Sequence, residues 1–147
     1  MSNIDTEIVL VRLKLIAKYY NTLNEFRSIN LDEFLNDFRQ QLVVQRLLQL
    51  MTQAAIDINE HILSRLSPGN SATNFEAFIE VSKYQVITPE LARQIAPSSG
   101  LRNRLVHEYD EIDPQEVFNS ISLALQQYPL YVRQVNSYLI SLSQEDG

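Results

Sequence analysis

Within one run of eight residues stand Arg102, Asn103, Arg104, His107 and Tyr109. These types suit chemistry at a phosphodiester. Histidine has an ordinary pKa of ~6.5, so its imidazole serves as a general base near neutral pH and can take the proton from a ribose 2′-hydroxyl. The phosphorane-like transition state gains negative charge, and a guanidinium forks naturally onto phosphate oxygens. Asn103 and His107 are four residues apart and share a helix face. Arg102 stands about 140° from His107 around an ideal helix, and its long side chain is able to reach round. Asn103 and Arg104 are the supporting or RNA-binding candidates. The set suits metal-independent RNA cleavage with Arg102 and His107 as the catalytic pair. A plainer structural reading stays open: a surface arginine, a histidine favoured near a helix C-terminus, and a part-buried tyrosine. Composition alone produces a given Arg-x4-His-x-Tyr about 0.006 times in such a chain, so the spacing is uncommon without proving catalysis.

Other chemistries are poorly supported. The chain has no cysteine, which removes disulfides, thiolate metal sites and thiol nucleophiles. It has no Gly-rich phosphate loop, no G-x-S-x-G and no H-E-x-x-H. Its two histidines, His61 and His107, have no carboxylate pair at convincing ligand spacing, so no metal or other cofactor is expected. The net charge of −6 argues against a non-specific nucleic-acid coat, which needs a basic surface. It still allows a small local site for a few phosphates. No apolar run approaches the ~18 residues of a membrane span. The charged residues Asp5, Glu7, Arg12, Lys14 and Lys18 do not suit a signal peptide, so no membrane association and a cytoplasmic location are expected.

Helices must position these residues. At 147 residues, with 3 Gly and 5 Pro, the chain reads as a single all-α domain over 1–147. A first helix is expected from about Ile4 to about Arg27, with Ile4, Ile8, Val11, Leu15, Tyr19, Leu23 and Phe26 on one apolar face. Asn30 with Glu33 forms a capping box. From Leu31 no breaker appears until Pro68, which allows about 37 residues or ~55 Å of helix. Its seam is Val44, Leu48, Met51, Ala55, Ile58 and Ile62, extended by Phe34, Leu35, Phe38 and Leu42. Ser67 to Ser71 is a loop. Thr73 with Glu76, then Thr88-Pro89, start two shorter helices, and Pro97 to Gly100 interrupts the second. Another short helix is expected over Leu101–His107. Asp113-Pro114 opens the last helix, with Val117, Ile121, Leu125, Tyr128, Val132, Val135, Leu139 and Leu142 on one face. Pro129 inside it should kink it, at about 3 kcal/mol unless the bend serves packing. The sum is an up-and-down helical bundle with long first, second and last helices.

The Arg102–Tyr109 run resembles the R-x4–6-H signature of the HEPN superfamily of helical bundles, many of them metal-independent ribonucleases. Its longer form, R-x4-H-x-Y, is similar to that of the HepT-type toxins, which pair with MntA-type nucleotidyltransferase antitoxins. The likeness extends over nearly the whole chain: a long helix, a longer one, short helices bearing the motif, then Asp-Pro and a terminal helix. Arg102, Asn103, His107 and Tyr109 each match a motif position. The resemblance implies a toxin of a toxin–antitoxin system: a homodimer whose two motifs face one cleft, an RNA substrate, and a nucleotidyltransferase partner that attaches AMP to Tyr109. Two copies of Arg102 and Arg104 would gather positive charge there, while Glu108, Asp110, Glu111, Asp113 and Glu116 restrain non-specific binding.

Two rival readings remain: a HEPN bundle that binds RNA or nucleotide beside the transferase without cutting, and a plain helical dimerisation protein. Asp57 and His61, four apart, read either as an acid–histidine pair at the core's edge or as a second histidine bordering the cleft. Arg46 reads either as pairing with an acid on a neighbour, the favoured reading, or as lining the cleft. Tyr19, Tyr20, Tyr128, Tyr131 and Tyr138 fit core and dimer packing better than base stacking.

Overall fold

The computed structural model describes residues 3–146, without the side chains of Tyr109, Glu145 and Asp146. The order is α1 (Thr6–Leu23), a 3-10 turn (Asn24–Phe26), α2 (Leu31–Leu35), α3 (Phe38–Leu66), α4 (Asn74–Lys83), α5 (Pro89–Ile95), α6 (Ser98–His107), a second 3-10 turn (Tyr109–Glu111) and α7 (Pro114–Asp146). There is no strand among the described residues, as the all-α expectation requires. α3 touches α1, α2, α4, α6 and α7 and is the axis of the bundle.

Long-range pairs set the directions. Asp5 N–H meets His61 and Arg12 meets Asp57, so α1 runs antiparallel to α3. Tyr128 meets Thr52 and Tyr131 meets Ala55 and Asn59, so α7 runs parallel to α3. The short helices α4 to α6 return the chain between them. Both tyrosines are fully buried, and burial pushes both phenols above the ordinary tyrosine range, Tyr131 well above it. They therefore stay protonated and donate their hydrogen bonds.

Four expectations about the helices need correction. The long second helix is broken at Asn36–Asp37. Asp37 is an N-cap whose carboxylate accepts from Gln40 N–H, and the buried Gln41 amide donates to the Phe34 and Leu35 carbonyls that end α2. Local side-chain bonds thus stand in for backbone bonding at the break. Of the four residues that were to extend the seam, only Phe34 is buried, whereas Leu35, Phe38 and Leu42 are exposed. The rest of the α3 seam, from Val44 to Ile62, is buried as expected.

On α1 the packed face is Val9, Leu13, Ile16 and Leu23, while Ile8, Val11 and Leu15 are exposed. Both stripes have helical period, so spacing alone does not choose between them. Finally, α6 starts at Ser98 rather than Leu101. Pro97 already has helical φ of −60°, and Gly100 sits in a first turn. Pro129 lies inside α7, which continues through it.

His61 does not pair with Asp57. Its Nε2 accepts from Asp5 N–H at 2.9 Å and so holds the N-terminal end of α1 onto α3. That bond requires a neutral ring. Burial, then the Arg65 charge, lower the His61 pKa below 6.5, with Asp5 opposing and Arg12 reinforcing. A histidine with a depressed folded pKa binds fewer protons than its unfolded counterpart. Its contribution is complete above the unfolded value and is lost as pH falls through about 6.5 towards the folded value. Thermal unfolding from pH 8 to 5 should show this loss, and His61→Gln, whose amide oxygen can still accept, should flatten that part of the profile. An identical profile in the variant would assign the pH dependence elsewhere.

Candidate active site

α6 is fixed in rotation by its apolar side. Leu101 and Leu105, four apart, are buried in the core and contribute about 1.5–3 kcal/mol each. At its start, Ser98 Oγ shares a 3.1 Å hydrogen bond with Tyr128 Oη, which donates to Thr52 on α3. Ser99 Oγ donates back to the Ala96 carbonyl at 2.7 Å. The motif residues therefore stand on a helix pinned to both α3 and α7.

Arg102 points towards α3. Its Nη2 donates to Gln53 Oε1, and its Nη1 donates to Asn103 Oδ1 at 3.1 Å. Both acceptors are neutral amides, so the guanidinium is held while its positive charge stays uncancelled. Arg104 differs: its Nη2 pairs with the Glu116 carboxylate on α7. Between α6 and α7 lies a cavity of about 540 Å³ lined by Arg102, Arg104, Leu105, Glu116, Ser98 and Tyr128, among others.

His107 ends α6 and is exposed. No hydrogen bond links its imidazole to a described residue. Asn103, one turn earlier, is also exposed. The structure thus brings Arg102 and Asn103 together, ties Arg104 to Glu116, and places His107 at the far end of the same helix. Glu108 caps the helix with ψ of 33°, and the chain turns there into the 3-10 turn that Tyr109 opens. The Tyr109 side chain, named above as the modification site, lies outside the described portion.

Sequence reasoning missed Gln53 as the anchor of Arg102, and Arg12 and Gln53 as the partners of Asp57. Asp57 Oδ1 accepts from Gln53 Nε2 at 2.8 Å and its Oδ2 lies 3.7 Å from Arg12 Nε. Gln53 and Asp57 are an i,i+4 pair, a signal present in the sequence but equally available to Asp57 and His61. Arg46 is exposed, and among the described residues it pairs with no acid, contrary to expectation. Also among the described residues, no group of three or more His, Asp and Glu is placed to hold a metal ion. No described helix is long and apolar enough to cross a membrane.

An all-α bundle that packs a short helix bearing Arg102 and His107 against its central helix is of the HEPN class. Within it, this chain belongs to the ribonuclease HepT-like family, whose model matches residues 16–135. It is 66% identical over 146 residues to a tRNA nuclease HepT of Aphanizomenon flos-aquae, covering 99% of each chain. It is 28% identical over 100 residues to an mRNA nuclease HepT of Shewanella oneidensis, covering 68% of this chain and 75% of that one. Among solved structures, the tri-AMPylated Shewanella oneidensis HEPN toxin in complex with MNT antitoxin superposes with a TM-score of 0.77 at 23% identity, covering 88% of this chain and 97% of that chain. At that identity the likeness speaks to the fold.

Proposed function

We propose that this chain is the toxin of a toxin–antitoxin pair: a metal-independent endoribonuclease that acts in the cytoplasm on tRNA and is silenced by a nucleotidyltransferase that attaches AMP to Tyr109. The observation that carries the reading is the contrast between two arginines on one helix. Arg102 is held by neutral amides and Arg104 by a carboxylate. Only Arg102 keeps a full charge to offer a phosphate. The tRNA substrate is supported by the relative of 66% identity, which is named a tRNA nuclease.

In this reading the His107 imidazole takes the proton from a ribose 2′-hydroxyl, whose oxygen attacks the adjacent phosphorus. Arg102 offsets the negative charge on the phosphorane oxygens. The bond to the 5′-oxygen breaks, and a second imidazole protonates that leaving oxygen. The products are a 2′,3′-cyclic phosphate and a 5′-hydroxyl. As the HEPN resemblance implies, the second imidazole and a facing arginine come from another copy of the chain. The exposed stripe of Ile8, Val11 and Leu15 is apolar surface that such a homodimer has available to bury. Sedimentation at micromolar concentration should report a dimer, and a monomer would remove the composite site.

The direct test is cleavage of 5′-labelled tRNA in EDTA. Arg102→Ala should abolish it, whereas Arg104→Ala should lower it only a few-fold, because Glu116 already offsets that charge. Equal losses would erase the distinction between the two arginines. Binding of tRNA without any cutting would favour the non-catalytic HEPN partner instead.

A further inference from the structure

The reaction described above uses Arg102 but not the side chains behind it. These form one line across three helices. Arg102 on α6 donates to Gln53 on α3, Gln53 donates to Asp57 one turn later at 2.8 Å, and Asp57 lies 3.7 Å from Arg12 on α1. Gln53 and Asp57 are both half-buried. The Arg102 Nε is buried and has no hydrogen-bond partner. The orientation of the guanidinium therefore rests on its two Nη groups, one held by the adjacent Asn103 and the other by Gln53.

Resting on the assignment of Arg102 as the phosphate-binding arginine, we propose that Gln53 is a positioning residue that aims Arg102, and that Asp57 fixes which end of the Gln53 amide Arg102 meets. A guanidinium has only donors, and a carboxamide has an acceptor end and a donor end. If the amide flips, its NH2 faces the guanidinium, donor against donor. Asp57, when ionised, only accepts, so it claims the NH2 and leaves the carbonyl for Arg102. Arg12 draws the other carboxylate oxygen towards α1. A carboxylate in the place of Gln53 would also hold Arg102, but it would offset the charge, as Glu116 does for Arg104. The neutral amide gives orientation without that loss. Asp57 acts one residue further away and touches neither Arg102 nor substrate.

The test is the rate of 5′-labelled tRNA cleavage in EDTA under single-turnover conditions, read against RNA concentration. Gln53→Ala and the equally long Gln53→Met should each lower the maximal rate by about 10- to 100-fold. The half-saturating RNA concentration should move much less than the rate, and the thermal midpoint should stay near the parent's. Having both variants guards against one folding poorly. Asp57→Ala should lower the rate less, and Gln53→Ala/Asp57→Ala should be no slower than Gln53→Ala, because Asp57 works through Gln53. Likewise Arg102→Ala/Gln53→Ala should match Arg102→Ala. If Arg102→Ala is inactive while both Gln53 variants cut at the parental rate, positioning is wrong and the active site stands. If the losses of Asp57→Ala and Gln53→Ala multiply, the relay is wrong. If Arg102→Ala itself cuts at the parental rate, the site assignment falls and the relay with it.

Discussion

Replacing His107 with alanine is expected to lower RNA cleavage by about 10²–10⁴-fold, the usual contribution of a positioned proton-transfer group. The bundle should remain folded. His107 is exposed at the C-terminus of α6, and the packing of that helix comes from Leu101 and Leu105 on another side. The most a histidine supplies structurally at such a place is an interaction of its charged form with the helix dipole, about 0.3–1 kcal/mol. Activity and stability should therefore separate widely. Circular dichroism and a melting curve close to the parental ones, with no cleavage of tRNA in EDTA and no growth arrest on expression, is the expected result. A variant that cuts at the parental rate would remove His107 from catalysis. One that unfolds would restore the structural reading of this residue.

The ends of most helices are legible in the sequence because each has a local chemical cause. Asn30, Thr73 and Thr88 accept from the backbone N–H groups of Glu33, Glu76 and Leu91, as their spacing to the first turn suggests. Asp113 likewise accepts from Gln115 N–H. The motif on α6 is legible too, since its residues lie in one short run. Features that depend on a second element are not. The break before Phe38 needs Gln41 to reach back to two carbonyls, and no breaker residue marks it. The buried face of α1 depends on what α3 and α7 offer, because either stripe satisfies the period. Asp57 has two helical neighbours within reach, Gln53 and His61, and it bonds Gln53 while meeting Arg12 on another helix. Which residue anchors Arg102 is a question of tertiary contact, and the answer lies 49 positions away.

Attachment of AMP to Tyr109 is expected to abolish cleavage without changing helical content. Tyr109 opens the 3-10 turn directly after the α6 cap, two residues beyond His107. The turn is outside the helices that build the core. The adduct exchanges a neutral phenol for a phosphodiester of charge −1 and a nucleoside. Its phosphate is a competitor for the Arg102 guanidinium, whose charge the Gln53 and Asn103 amides leave uncancelled. Inhibition then combines occupancy of the cleft with competition for the one arginine held ready for substrate. Tyr109→Phe removes the acceptor oxygen and leaves Arg102, Gln53 and His107 in place, so the variant should stay at least partly toxic and escape its antitoxin. Co-expression with the nucleotidyltransferase, scored by growth and by intact mass, decides the matter. The parent should gain the mass of AMP and be neutralised, while Tyr109→Phe should gain none and still arrest growth. Rescue of the variant equal to that of the parent, with AMP elsewhere or absent, would mean that the partner silences the toxin by covering the cleft.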